Sequence, residues 1–227
     1  ASQMQAMDRE TIEGFGIPGR VLMEIAGRGA TGFLLERFPD LAGRRLAVAA
    51  GPGNNGGDGF VMARCLAQRG LAVTVYLLCA AERVRGDAAA NLELLAPLSA
   101  SVVIVPDEAA FDDHREEMAA VDLWIDAILG TGLNSEVRGF YRSVIGFINR
   151  SGRPVFAVDI PSGLHADTGQ PCGDCIRAQA TATFGLAKTG HFQQPGAALS
   201  GALRVVDIGI PPHIVAKARP PHYLLTP

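Results

Sequence analysis

The chain contains no apolar run long enough to span a membrane, no long basic stretch, and few aromatic residues, 6% of 227 with one tryptophan, Trp124. A spanning helix needs about 20 consecutive apolar residues, so no membrane segment is expected. The formal net charge of -3 argues against a nucleic-acid partner. Scarce aromatics leave no obvious stacking platform for a planar ligand. No signal-peptide pattern opens the chain, and the expectation is a soluble, cytoplasmic protein. Cysteine is sparse too, at 65, 79, 172 and 175. Cys65 falls in a helix pattern and Cys79 closes an apolar strand, so both read as reduced core residues. Cys172-Gly173-Asp174-Cys175 is a lone pair without the second pair that structural zinc requires, and it reads as a surface turn. The five histidines show no metal-ligand spacing. Internal repeats and low-complexity segments are also lacking.

What the chain does have is 48% hydrophobic and 19% charged residues, suited to one globular domain with a substantial core. Its most informative stretch is Gly51-Pro52-Gly53-Asn54-Asn55-Gly56-Gly57-Asp58-Gly59. The apolar run Leu46 to Ala50 precedes it and a helix pattern from Phe60 follows, which makes a strand-loop-helix junction. Such junctions favour phosphate, because glycines allow close backbone approach and the helix start offers free N–H groups and a positive dipole end. The P-loop pattern fails here, since Phe60 and Val61 stand where a lysine and a hydroxyl residue are needed. Residues 51, 53 and 56 do spell the dinucleotide fingerprint. However, the second strand ends in Cys79-Ala80 rather than in the acid expected roughly 20 positions on. That absence counts against an ordinary NAD-dependent oxidoreductase.

Hydrophobic periodicity predicts strands at 45–50, 72–78, 101–105, 121–126, 154–158, 180–184 and 202–206. Helices are predicted at 4–13, 21–38, 59–69, 86–96, 108–119 and 138–150. Small residues Ala26, Gly27, Gly29 and Ala30 suit the second helix to close packing, against either a sheet face or a second copy. Alternation of this kind predicts a Rossmann-like three-layer α/β/α sandwich with a mainly parallel sheet and an N-terminal helical pair. Ligands on such sheets bind at the carboxyl ends of the strands. Asp126 and Asp159 stand at two of those ends beside apolar residues, where a carboxylate needs hydrogen bonds, a cation or a proton. Gly130-Thr131-Gly132 offers N–H groups and a hydroxyl, and Lys188 follows a third strand. Asn55, Asp126 and Ser162 together offer the oxygen ligands that suit an alkali or alkaline-earth ion.

Taken together, the segments Gln3 to Asp8, Val21 to Gly27, Asn54 to Asp58, Asp126 to Leu133, Val158 to Gly163 and Val206 to Pro211 resemble the NAD(P)H-hydrate epimerases, the family of the YjeF N-terminal domain. The resemblance covers nearly the whole chain, with 1–211 as the epimerase domain and 212–227 as a tail or linker. Ile25 departs from the asparagine of some members, which leaves no polar role at that position. The resemblance implies epimerisation of the R and S forms of hydrated NADH or NADPH, with the dinucleotide as substrate rather than cofactor. It further implies substrate contacts at Asn54, Asn55, Gly56, Gly57, Asp58, Gly130, Thr131, Gly132, Leu133, Asn134, Ser135, Glu136 and Asp159. One potassium ion is implied at Asn55, Asp126 and Ser162. Asp159 is the expected acid/base, with Lys188 as alternative proton donor. A homodimer is implied, as is a fused or separate ADP- or ATP-dependent dehydratase. The competing readings are a catalytically silent nucleotide-binding or protein-interaction module on the same fold and, more remotely, an NAD-dependent oxidoreductase.

Overall fold

The structure, a computed structural model, describes residues 1–98 and 100–218. Seven strands form one parallel sheet in the order β3-β2-β1-β4-β5-β6-β7. They are β1 (Leu46–Ala50), β2 (Val73–Leu77), β3 (Ser101–Ile104), β4 (Leu123–Ala127), β5 (Val155–Val158), β6 (Ala180–Phe184) and β7 (Ala202–Val206). Six lie within segments predicted from periodicity, and β4 runs one residue past its predicted end at 126. The helices are α1 (Ser2–Arg9), α2 (Gly19–Arg37), α3 (Asn54–Ala67), α4 (Gly86–Glu93), α5 (Glu108–Ala119), α6 (Gly139–Arg150), α7 (Gly196–Ser200) and α8 (Pro212–Ala218). Helix α1 continues into a π-helical turn, Glu10–Phe15, which left-handed Gly16 ends. The short helices α7 and α8 had too little periodicity to be predicted.

Alternation along the strands divides the core between the two faces of the sheet, as the period of two requires. Leu46, Val48 and Ala50 of β1 pack with Phe33, Leu34, Phe60 and Leu66. Ala47 and Ala49 join Trp124, Phe111, Val144 and Ile148 on the other face. Helices α2, α3 and α4 therefore cover one face while α5 and α6 cover the other, giving the three layers expected. Helix α2 covers the sheet, packing on α3, β6 and β7. A Cβ on Gly27 would lie 2.5 Å from Val61, and one on Gly29 would lie 2.3 Å from Val206, so both glycines allow the helix to seat closely.

Sequential strands run outward in both directions from β1 and β4, so the carboxyl ends of this central pair form the switch point. The crevice there is pinched by backbone. A Cβ on Gly51 would fall 2.0 Å from the Ile128 carbonyl oxygen, and one on Gly56 the same distance from that of Gly51. Beyond Pro211, where a tail was expected, α8 packs beside α1 and buries Ile214 in the main core. Residues 219–227 lie outside the described residues.

Candidate active site

A cavity of about 590 Å³ lies over the carboxyl ends of the strands, roofed by α1 and the start of α2. Its lining includes the hydrogen-bonded Asp159, Phe184 and Lys188, the helix-start residues Asn54, Asn55 and Asp58, and the neighbouring Gly19 and Asp87.

The glycine stretch corrects the sequence reading in one respect. The helix begins at Asn54 rather than 59, so only residues 51–53 form the turn. Asn54, Asn55 and Gly56 have N–H groups in the helix's first turn, and no side chain caps it. These donors point where an anion would be held. Gly57 has already entered the helix, donating its N–H to the Gly53 carbonyl. Its bare Cα accommodates Met23 and Ala88, since a Cβ would lie 2.7 Å from the Met23 sulfur. Gly56 and Gly57 are thus packing positions, and neither lines the cavity. Glycine-rich sequence at a helix start is ambiguous between these two uses, and only tertiary contacts separate them.

Among the other expected contacts, Gly130, Thr131, Gly132, Leu133, Asn134 and Ser135 form one cavity wall after β4. Glu136 does not. Its carboxylate pairs with Arg138 at 2.7 Å on the surface.

Asp159 follows β5 with φ 64°, the only non-glycine residue described with positive φ. The Ile160 N–H bonds back to the Val158 carbonyl at 2.8 Å, closing a three-residue turn around it. Left-handed backbone at a residue with a Cβ is strained and persists where surroundings over-determine it. Here they do so through Oδ1, which accepts from Lys188 Nζ at 2.5 Å, from Thr183 Oγ1 at 3.2 Å and from the Phe184 N–H at 3.3 Å. Lys188 is buried and spends its other two donors on Thr183 Oγ1 at 2.8 Å and the Phe184 carbonyl at 3.2 Å. An ammonium has three donors, and all three are engaged. Lys188 therefore holds Asp159 in place, with every ammonium donor spent inside the protein. None of these bonds uses Asp159 Oδ2.

Two further carboxylates line the same cavity. Burial raises Asp58 well above the usual carboxylate range, reinforced by the charges of Asp159 and Asp8 and opposed by Lys188. Burial likewise raises Asp8 to about 6, with Lys188 opposing and Asp159 adding to the shift. The sequence reading placed Asp8 in a motif but gave it no role. The available signal was a carboxylate one helical turn after Met4, on a face that buries Met4, Met7 and Thr11. His191 is driven down to about 4 by burial and by Lys188, so it is neutral, and its Nδ1 accepts the Lys188 backbone N–H.

Behind the cavity wall, Asp126 is fully buried, and burial raises it to about 6. Opposing that shift, it accepts from Ser162 Oγ at 2.6 Å, the Ser162 N–H at 2.7 Å and the Ile128 N–H at 3.3 Å. Asn55 approaches the same place, its Nδ2 donating to the Leu129 carbonyl at 3.1 Å. Its Oδ1 is buried with no partner among the described residues. An orphaned amide oxygen, a buried carboxylate and a hydroxyl oxygen form an oxygen donor set that fits a hard cation. Among the described residues no three His, Cys, Asp or Glu side chains cluster as metal ligands. The Cys-x-x-Cys segment braces this region instead of forming a free surface turn. The Ser162 carbonyl accepts from Ile176 N at 2.9 Å, and buried Cys175 has its thiol pushed up to about 12 by burial.

A family model described as "YjeF-related protein N-terminus" matches residues 19–190. The bifunctional NAD(P)H-hydrate repair enzyme Nnr of Moorella thermoacetica is 42% identical over the whole chain, which spans 43% of that protein. The NAD(P)H-hydrate epimerase of Pirellula staleyi is 37% identical over 90% of this chain and 89% of its own. The chain thus spans less than half of the bifunctional relatives and most of the epimerases. The solved yeast protein ynu0 shares the fold with a TM-score of 0.82 at 22% identity, over 95% of this chain and 90% of that one. With its seven-stranded parallel sheet and a family match over most of its length, the chain belongs to the YjeF-related N-terminal domain family.

Proposed function

We propose that the chain interconverts the R and S forms of hydrated NADH and NADPH. The carrying observation is that the Asp159–Lys188 pair and the uncapped start of α3 line one and the same cavity. Relatives named NAD(P)H-hydrate epimerase, matched over most of their length, support the substrate class. On this reading the pyrophosphate meets the N–H groups of Asn54 and Asn55 at the start of α3, with residues 130–135 alongside. The hydrated ring then lies beside Asp159 and Asp58.

Inverting the hydrated carbon requires its C–O bond, or the ring C–N bond, to open and reform on the other face. Either route moves protons, work worth about 10²–10⁴ in rate when a placed side chain performs it. Asp159 is the acid/base, acting through Oδ2 while Lys188 fixes Oδ1. Asn55, Asp126 and Ser162 would hold a potassium ion, whose charge would keep Asp126 ionised and join the loops after β1, β4 and β5.

A homodimer and a fused or separate dehydratase belong to the same reading, the latter supported by the bifunctional relatives. The four unpaired cysteines suit a reducing cytoplasm. The intact ion pair favours an enzyme over a silent binding module. Incubation with one pure epimer, followed by chromatography, tests the proposal. Appearance of the other epimer well above the protein-free rate is expected, and an unchanged rate would refute it.

A further inference from the structure

Epimerisation differs from most proton-transfer chemistry in what it demands of a site, because bonds must break on one face of a carbon and form on the other. A single acid/base at the strand ends serves one face. The cavity, however, is closed over those ends by α1, and from that helix Asp8 lines it alongside Asp159 and Lys188. We infer that Asp8 is a second catalytic acid/base, serving the ring face opposite Asp159. This rests on the epimerase reading above.

Three observations carry it. Asp8 Oδ1 is buried with no hydrogen-bond partner among the described residues, although partnering is the rule for such atoms. Among the described residues no ion pair or side-chain hydrogen bond gives Asp8 a structural task, whereas Glu10, two positions on, pairs with Lys217 of α8 at 2.7 Å on the outside. Burial also places its proton affinity near 6, where a carboxyl group can both give and take a proton close to neutrality. The charged or titratable groups facing it are Asp58 from α3, Asp159 after β5, and Lys188 after β6. Asp87, from α4, lines the same cavity.

The step balances without a co-reactant. Protonated Asp8 gives its proton to the departing hydroxyl, the C–O electron pair leaves with that oxygen as water, and the ring-nitrogen lone pair forms a C=N bond. Water then adds from the other face, that π pair returns to nitrogen, and the added water's proton passes to Asp159. The site ends with Asp159 protonated and Asp8 ionised, the state from which the opposite epimer is converted back.

The test is Asp8→Asn in the whole chain, with Asp8→Glu beside it, measuring kcat, KM and Tm across pH 5 to 9. A carboxylate buried for catalysis is a stability burden, so Asp8→Asn is expected to melt no lower than the parent. Its kcat should fall by about 10²–10⁴ with KM changed less than about threefold, and the pH–rate limb near 6 should vanish. Asp8→Glu should restore part of kcat and of the limb. Undiminished kcat in Asp8→Asn would overturn the inference, as would a loss of kcat matched by a lower Tm with no change in the limb. A parent protein that converts neither epimer would instead overturn the epimerase reading itself, which separates the two failures.

Discussion

Replacing Lys188 by methionine removes the cation that holds Asp159 and keeps nearly the same volume. Three acceptors lose their donor at once: Asp159 Oδ1 at 2.5 Å, Thr183 Oγ1 at 2.8 Å and the Phe184 carbonyl at 3.2 Å. Removing one member of a buried pair typically costs about 3–5 kcal/mol, because the other charge is stranded. The Asp159 side chain keeps 15% exposure through the cavity, so solvent softens the loss toward the lower end, about 3 kcal/mol. At about 2–4 °C per kcal/mol for a chain of this size, Tm should drop by roughly 6–12 °C. Urea unfolding of the parent, Lys188→Met, Asp159→Leu and the double variant completes the cycle. The double variant should be more stable than the two single losses added together imply, by about 1 kcal/mol or more, since no charge is then left alone. A Lys188→Met protein within about 0.5 kcal/mol of the parent, or strictly additive losses, would refute the claim that this pair is a buried, mutually dependent unit.

Asp159→Asn preserves the shape and an acceptor for Lys188, so it should fold while losing about 10²–10⁴ in kcat; full activity with native circular dichroism would contradict the acid/base assignment. Potassium at 100 times its dissociation constant should stabilise the parent by about 2.7 kcal/mol over a choline buffer, whereas Asp126→Asn should show little of that shift in thermal melts. Equal shifts in both proteins would place any bound ion elsewhere. Gly51→Ala should fail to reach the native fold or lose several kcal/mol, because its Cβ would sit 2.0 Å from the Ile128 carbonyl oxygen and backbone cannot step aside as a side chain can. Near-native stability of that variant, read from urea curves, would show that β1 and β4 are not pinched together at the switch point.

The five inner strands were legible because strands buried on both faces read as apolar runs between glycine and proline breaks, which single-sequence periodicity detects well. Strand-end placement followed from topology, which is why Asp126, Asp159 and Lys188 were found. What eluded the sequence was the division of labour among residues of one motif. Asn54, Asn55 and Asp58 face the cavity while Gly56 and Gly57 serve packing, a distinction made by Gly51, Met23 and Ala88 from elsewhere in the chain. Glu136 looked continuous with the wall before it, but an exposed arginine two residues on draws it outward. Asp87 reaches the cavity from α4, ten residues past the end of β2, too far along for the usual ribose-acid spacing to flag it.

The most direct check of the whole account is a crystal structure with a hydrated or intact pyridine dinucleotide bound. The account predicts pyrophosphate oxygens within hydrogen-bond distance of the Asn54 and Asn55 N–H groups, with the nicotinamide ring between Asp8 and Asp159. A ligand bound with its adenine beside Asp159, or an empty α3 start under saturating dinucleotide, would contradict it.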